Sequence, residues 1–212
     1  MEEGLVVIPK ATISRLPLYL QVLTEYHHLG ITLVSSEEIA QKLGITSSQL
    51  RKDLSYFGGL GIRGAGYDVT CLLEKIKEIL GMQKKRRLAI IGAGKMGTAL
   101  AGYHGLQQHG LEVKALFEID KGKIGTTIAN IPIYPLAELP DQTVRLGLEI
   151  AVLTVPVAAA QKVADLVVEA GFEAIWNFAP IRLEVPDNII VQNEDLVAGV
   201  LTLVHHLSRK IG

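Results

Sequence analysis

The 212-residue sequence has one cysteine, Cys71, so no disulfide framework is available, and no Cys/His set with metal-ligand spacing occurs along it. Metal chemistry is therefore not expected. Cys71 sits beside Val69, Leu72 and Leu73 near a helix start, a setting in which a free cysteine is usually a small core residue. Aromatic residues make up only 5% of the chain, and no uninterrupted apolar run approaches the ~18–20 residues that cross a bilayer. A soluble chain with no membrane partner is expected. The opening MEEGLVVIPK has neither the basic start nor the longer apolar stretch of a secretory signal, which leads to a cytoplasmic placement. An excess of one charge is also missing, since 21 Lys and Arg face 22 Asp and Glu.

The apolar share of 49% is enough for real cores, and the length suits two domains better than one. The charges are unevenly divided. Residues 1–87 carry 12 Lys and Arg against 9 Asp and Glu, while residues 88–212 carry 9 against 13. The first part is the better partner for a polyanion.

Start and stop signals predict four helices before residue 82. The first begins near Ser14, tolerates Pro17 in its first turn, continues through LPLYLQVLTEYHHL and stops at Gly30. Ser35 and Glu38 form a capping box for a second helix that ends at Gly44, and Thr46 and Gln49 predict another for a third, SSQLRKDLSYF, ending at Gly58 and Gly59. Two helices joined by a short glycine-containing turn make a helix-turn-helix, whose second member enters the DNA major groove. A generic helical hairpin has the same outline. The third helix favours DNA, because Leu50, Leu54 and Phe57 make an inward stripe and leave Ser48, Arg51, Lys52 and Ser55 on the opposite face. Arginine and lysine donate to guanine edges or phosphates, and Ser47, Ser48 and Gln49 lie where helix N-terminal amides face a phosphate. The following GGLGIRGAGYDV predicts a β-hairpin wing with Arg63 at its tip, with a plain surface turn as the alternative. A fourth helix, CLLEKIKEIL, ends at Gly81, and MQKKRR then separates the domains.

From residue 88 strands alternate with helices, which implies a parallel sheet with crossover helices. The strand LAIIG runs into Gly92, Ala93, Gly94, Lys95, Met96 and Gly97, followed by the helical TALAGYHGLQQH, so GxGxxG stands between a strand and a helix. Gly92 makes the tight turn, Gly94 admits a pyrophosphate and Gly97 lets the helix pack on the strand. Glu118 lies about 20 residues on, at the end of the strand EVKALFE, where a carboxylate accepts from ribose hydroxyls and repels a 2′-phosphate; Asp120 reinforces a preference for NAD over NADP. Loops after later strands line the crevice of such sheets, which makes Thr154, Val155, Pro156, Asn177, Phe178 and Ala179 candidate contacts, with ordinary loop packing as the alternative for each. The segment EDLVAGVLTLVHHLSRKI is a helix with a broad apolar stripe, which either docks on its own sheet or forms a dimer interface.

The expected organisation is thus α/β: a winged helix-turn-helix domain over 1–81, a linker over 82–87, a Rossmann-type parallel-sheet domain over 88–193 and a C-terminal helix over 194–212. In this order the passages ISRLPLYL, SSEEIAQKLGITSSQLRKDLSYFG, GIRGAGYDV, IIGAGKMGTAL, LTVP, NFAP and NEDLVAG closely resemble the Rex family of redox-sensing transcriptional repressors over essentially the whole chain. The resemblance implies a homodimer on a palindromic double-stranded operator, released when NADH rises relative to NAD, with the last helix swapped between protomers. It places Arg51, Lys52 and Tyr56 on the recognition helix and Arg63 on the wing. It also gives Arg15, Tyr103 and Asp195 the coupling of the domains, the aspartate pairing with the arginine in one state and the tyrosine in the other. In some relatives an aromatic residue follows that aspartate, where this chain has Leu196. Three rival readings remain: a nicotinamide-dependent dehydrogenase, a CoA-binding module, and a DNA-binding protein using the sheet only as scaffold. A dehydrogenase needs a substrate domain and a positioned proton donor, neither of which the sequence supplies, so no catalytic residue is assigned.

Overall fold

A computed structural model describes residues 8–62 and 64–210. They belong to two units, Met1–Lys84 and Lys85–Gly212. The first contains α1 (Lys10–Ile13), α2 (Leu16–His28), β1 (Leu33–Val34), α3 (Ser36–Leu43), α4 (Ser47–Ser55), β2 (Gly61–Ile62), β3 (Gly66–Asp68) and α5 (Val69–Ile79). The helix expected from near Ser14 forms as α2, with Pro17 in its first turn, and the short α1 before it was not expected. Pro17 keeps the two apart, because it has no N–H to give the carbonyl of Ile13 and its ring crowds that carbonyl. At α3 the capping box forms in full: the Ser35 side chain accepts from the Glu38 amide, and Glu38 accepts from the Ser35 amide at 2.7 Å. Only half of the second expected box forms. Thr46 accepts from the Gln49 amide, but the Gln49 side chain turns away and donates to Asp53 at 3.0 Å.

Leu16, Tyr19, Leu23, Ile39, Leu50 and Ile76 are among the buried side chains that gather α2 to α5 around one core. Cys71 corrects the expectation of a core residue. Val69, Leu72, Leu73 and Ile76 form the buried face of α5, and Cys71 falls on the opposite, exposed face. The hairpin forms as expected, with Gly61 paired to Tyr67 and Ile62 to Gly66. The structure adds β1 to its other edge, giving the order β1-β3-β2. A two-residue strand is too short to show alternation in a sequence. Gly66 makes that pairing possible: its φ is +103°, and a Cβ there would lie 2.3 Å from the Val34 carbonyl oxygen. Arg63, between β2 and β3, lies outside the described residues.

The second unit contains β4 (Arg86–Ile91), α6 (Lys95–Ala101), α7 (His104–Gln108), β5 (Leu111–Glu118), β6 (Thr127–Ile128), β7 (Ile131–Pro135), a 3-10 turn (Leu136–Glu138), α8 (Leu139–Leu146), β8 (Ile150–Leu153), α9 (Val157–Glu169), β9 (Ala174–Asn177), β10 (Ile190–Asn193) and α10 (Leu196–Lys210). The sheet order is β10-β9-β8-β4-β5-β7-β6, and every pairing is parallel except β6 with β7. The chain leaves β4 in one direction and returns to β8 on its other side, so the switch point lies between them. Along β4, Ala89 and Ile91 join one buried cluster with α8 and α9, while Leu88 and Ile90 join another with Leu116 and Val152. Burial on both faces explains why these strands read as continuous apolar runs.

Three further expectations change. Arg86 and Arg87 open β4 and do not belong to a free linker: Arg86 pairs with Glu149, and Arg87 donates to the Leu146 carbonyl. The single helix expected after the glycine loop is divided at Gly102 and Tyr103 into α6 and α7. Glycine is a poor helix former, and Gly102 and Gly105 stand close together there. Residues 127–146 supply a hairpin and α8 that the sequence did not reveal. The hairpin turns on Ala129 and Asn130, both at positive φ, and alanine there gives no turn signal. Among the described residues no helix is long and apolar enough to cross a membrane.

Candidate functional site

In the first unit α4 is fixed from behind and open in front. Leu50 and Leu54 are buried, as is Asp53, which is 1% exposed. Ser48, Arg51, Lys52 and Ser55 are exposed, and Ser47, Gln49 and Tyr56 half-buried. Ser47, Ser48, Gln49, Arg51, Lys52 and Ser55 thus fall on α4, and Tyr56 directly follows it. Arg51 is held, not loose: its guanidinium donates to Ser36 Oγ at 2.8 Å and to Glu37 at 3.0 Å. Glu37 is kept below the usual carboxylate range by its own backbone N–H, by Ser36 and by Arg51. Sequence reasoning missed Asp53. An aspartate inside a polar-looking helix carries no burial signal until its partners, far away in sequence, are known.

Those partners include Arg15, whose Nε and Nη2 grip the Asp53 carboxylate at 2.6 and 2.7 Å. Tyr19 donates to it at 2.6 Å and Thr12 at 2.9 Å. Burial works to raise the Asp53 pKa, but the bonds from Arg15, Tyr19 and Thr12 outweigh it and hold the carboxyl at about 2. The Tyr19 phenol is pushed well above its usual range, first by burial and then by the neighbouring carboxylate.

In the second unit a cavity of about 790 Å³ opens at the carboxyl ends of the central strands. Gly92, Gly94, Met96, Glu118, Thr154, Val155, Pro156, Phe178 and Ala179 line it. The glycines meet three different demands. Gly92 has φ +104°; a Cβ on Gly97 would lie 2.0 Å from the Gly92 carbonyl oxygen; and a Cβ on Gly94 would meet nothing within 4 Å. The last is open space beside the N-terminus of α6, where backbone amides and the helix dipole suit a phosphate. Glu118 accepts from the Ala93 amide at 2.9 Å and from the Ile119 and Asp120 amides at 2.7 and 3.2 Å, which aims it across the glycine loop. Lys123 reaches the Ala93 carbonyl at 3.2 Å and stands 4.0 Å from Glu118. These residues fit an adenosine diphosphate: a phosphate gap at Gly94, a fixed acid for the ribose and an otherwise mostly apolar chamber.

Five of the expected contacts are not among the lining residues: Ala93, Lys95, Gly97, Asp120 and Asn177. Gly97 is buried, where it lets α6 pack against the Gly92 carbonyl. Ala93 acts through its backbone, as just described. Asp120 accepts from the Gly122 amide at 2.9 Å, and Lys95 opens α6 on its exposed side. Asn177 is the clearest correction. It is fully buried, and its side-chain amide donates to the Ala179 and Ile181 carbonyls and to Asn193 while accepting from the Ala179 amide. It holds the turn that presents Phe178 and Ala179. The cavity also has walls that the sequence did not mark, among them Ile119, Leu136, Lys162 and Leu166. Ile119 follows the acid directly and was accessible to the same reasoning. Leu136, in the 3-10 turn after β7, and Lys162, on α9, reach the cavity only through the packing of segments far apart in sequence.

Asp195 accepts from the Val197 and Ala198 amides at 2.9 and 3.1 Å, capping α10. Tyr103 is 61% exposed. The α10 helix does not dock on its own sheet: Leu196, Val197, Val200, Leu201, Leu203, Val204 and Leu207 are all 53–61% exposed.

A helix-turn-helix with a hairpin wing, joined to a doubly wound sheet with a glycine-rich phosphate loop, defines a class of nucleotide-responsive transcription factor. Comparison with known proteins narrows the class. A model for the CoA binding domain matches residues 83–181, and one for the putative DNA-binding protein N-terminus matches residues 7–55. The chain is 41% identical to the redox-sensing transcriptional repressor Rex of Leuconostoc citreum, over 94% of this chain and 93% of that one. It is 44% identical to the protein of that name from Thermus thermophilus, over 92% of each. Among solved structures it superposes on RSP in complex with β-NAD+ and operator DNA with a TM-score of 0.91 at 37% identity, covering 96% of this chain and 94% of that one. On RSP in complex with β-NADH the TM-score is 0.89 at 36% identity, covering 96% of each. The chain belongs to the Rex family of redox-sensing transcriptional repressors.

Proposed function

We propose that this chain is a repressor that grips a palindromic operator as a homodimer and releases it when NADH occupies the second unit, NAD being the competing ligand. The observation that carries the reading is the coexistence of the exposed Ser48–Arg51–Lys52–Ser55 face with a glycine-loop cavity that holds Glu118 for a ribose. On this reading α4, with Ser47, Gln49 and Tyr56, enters the major groove, Arg63 reaches the backbone or minor groove, and the uncovered stripe of α10 meets its counterpart on a second protomer. Arg15, Tyr103 and Asp195 couple the two units, as the family resemblance implies. Both amides that Asp195 accepts from meet the same carboxylate oxygen and Tyr103 is exposed, whereas Nε and Nη2 of Arg15 are engaged by Asp53. Action on DNA keeps the cytoplasmic placement within the proposal.

The oxidised nicotinamide is a cation and the reduced ring is neutral, so walls such as Val155, Phe178, Ala179 and Pro180 favour NADH. A carboxylate placed there, as in Ala179→Asp, narrows the gap between NADH and NAD affinities; an unchanged gap removes this account. The matched domain model names CoA, whose adenosine bears a 3′-phosphate, and the fixed Glu118 carboxylate beside the ribose position opposes it. The titratable groups among the cavity's lining residues are Glu118 and Lys162, and His205 and His206 lie on α10, which supports a sensor over a dehydrogenase. The test is fluorescence anisotropy on a selected palindromic duplex at fixed salt, with NADH titrated against constant NAD. Release by NADH opposed by NAD supports the proposal. Operator binding indifferent to both, or release by CoA instead, replaces the ligand, and absence of specific DNA binding overturns the reading.

A further inference from the structure

Asp53 is a nearly inaccessible carboxylate on the helix whose other face is open to solvent, and it accepts from Arg15 twice, from Tyr19, from Thr12 and from Gln49. Four of those donor groups come from α1, α2 and the turn between them. The other anchors of α4 are Leu50 and Leu54, buried, Phe57 just beyond its end, half-buried, and the bonds of the solvent-exposed Arg51 to Ser36 and Glu37. Apolar contacts of this kind are non-directional and tolerate rolling of the helix, whereas hydrogen bonds to a carboxylate fix both distance and angle. With side-chain tips about 5–6 Å from the helix axis, a roll of about 20° moves them by about 2 Å, enough to break a base contact. A buried ion pair is in general weak support for stability compared with a packed apolar substitute, so its yield here is sought in geometry.

We propose that Asp53 is a positioning residue for DNA recognition: by binding Arg15, Tyr19 and Thr12 it sets the rotation of α4 about its own axis, and thereby the places at which Arg51 and Lys52 meet the operator. This rests on the reading of α4 as the recognition helix. Asp53 itself does not face the DNA and makes no base contact. It acts through the helix it sits on, one residue beyond Lys52 and two beyond Arg51.

The experiment compares the full chain with Tyr19→Phe, Thr12→Val, Thr12→Ser and Asp53→Asn, measuring affinity for the selected operator and for a scrambled duplex across a salt series. Far-ultraviolet circular dichroism confirms that each variant is folded. Phosphate contacts carry no sequence information and set the salt slope, whereas misplaced base contacts cost discrimination. Tyr19→Phe and Thr12→Val are expected to lose about 3–10-fold in operator affinity, with scrambled-duplex affinity within about twofold and an unchanged salt slope. Thr12→Ser, which keeps the hydroxyl, restores the operator affinity, and Asp53→Asn, if folded, loses more than either. Equal losses on both duplexes overturn the inference in favour of a purely structural role, and so do unchanged affinities. Loss of operator binding in Arg51→Ala with full binding in Tyr19→Phe and Thr12→Val overturns it while sparing the recognition-helix reading. No operator binding by the unmodified chain overturns both.

Discussion

In the first unit the working surface is set by polar side chains that converge on Asp53 from distant parts of the sequence, whereas in the second the working cavity is shaped by backbone: three glycines, helix-terminal amides and strand ends. The carboxylates differ accordingly. Asp53 is buried and satisfied by side chains, and Glu118 is held by amides at the rim of a cavity. A surface that reads a sequence needs its cations at fixed angles, and directional side-chain bonds supply that. A dinucleotide's pyrophosphate and ribose are the same in every copy, so a fixed backbone cradle serves them.

The comparison breaks first at Gly97. Gly97→Val drives a side chain into the Gly92 carbonyl, and NADH binding is expected to fall by more than about 100-fold, beyond what local adjustment recovers. Titration by nucleotide fluorescence checks it, and binding kept within tenfold shows that the cradle yields. Asp53→Ala leaves Arg15 and Tyr19 without their partner and is expected to destabilise the first unit by about 3–5 kcal/mol. Urea unfolding followed by circular dichroism measures it, and the only tryptophan, Trp176, reports the second unit separately. A loss below about 1 kcal/mol would place the first unit's order in its apolar core alone.

Acid sharpens the same contrast. The folded Asp53 pKa, about 2, lies below its ordinary 3.8, so its stabilisation is complete above that ordinary value and fades as the pH falls through the folded one. About 2 kcal/mol of first-unit stability should disappear between roughly pH 4 and pH 2. Asp53→Asn should flatten that slope while the Trp176 signal keeps its own. The smallest effect is expected from Glu118→Gln, which keeps a hydrogen-bonding group but not the charge: about tenfold weaker NADH binding, or ~1.4 kcal/mol. Calorimetry decides it, and an unchanged affinity would remove the ribose role given to Glu118.

Local chemistry explains which features were legible in the sequence. Ser35 with Glu38, Gly44 at the end of α3, and the glycine loop between β4 and α6 each depend on residues a few positions apart, and each formed. Gln49 shows the limit of that reasoning: its spacing from Thr46 was right for a box, in which its side chain accepts from the Thr46 amide, but the side-chain amide instead donates to the buried Asp53 carboxylate. Cys71 shows it again, because the phase of α5, not the apolar neighbours, decides which side is buried. The Asp53 cluster and the Lys162 wall depend on residues brought together from far apart, so no window along the chain contains them.

The α10 helix carries seven apolar side chains left exposed among the described residues. At 15 residues it is no longer than helices that are marginal when isolated in water. Its order is therefore linked by mass action to whatever covers it. On the homodimer reading, dilution should melt this helix before any other, so the helical signal of the chain becomes a gauge of protein concentration as well as of fold.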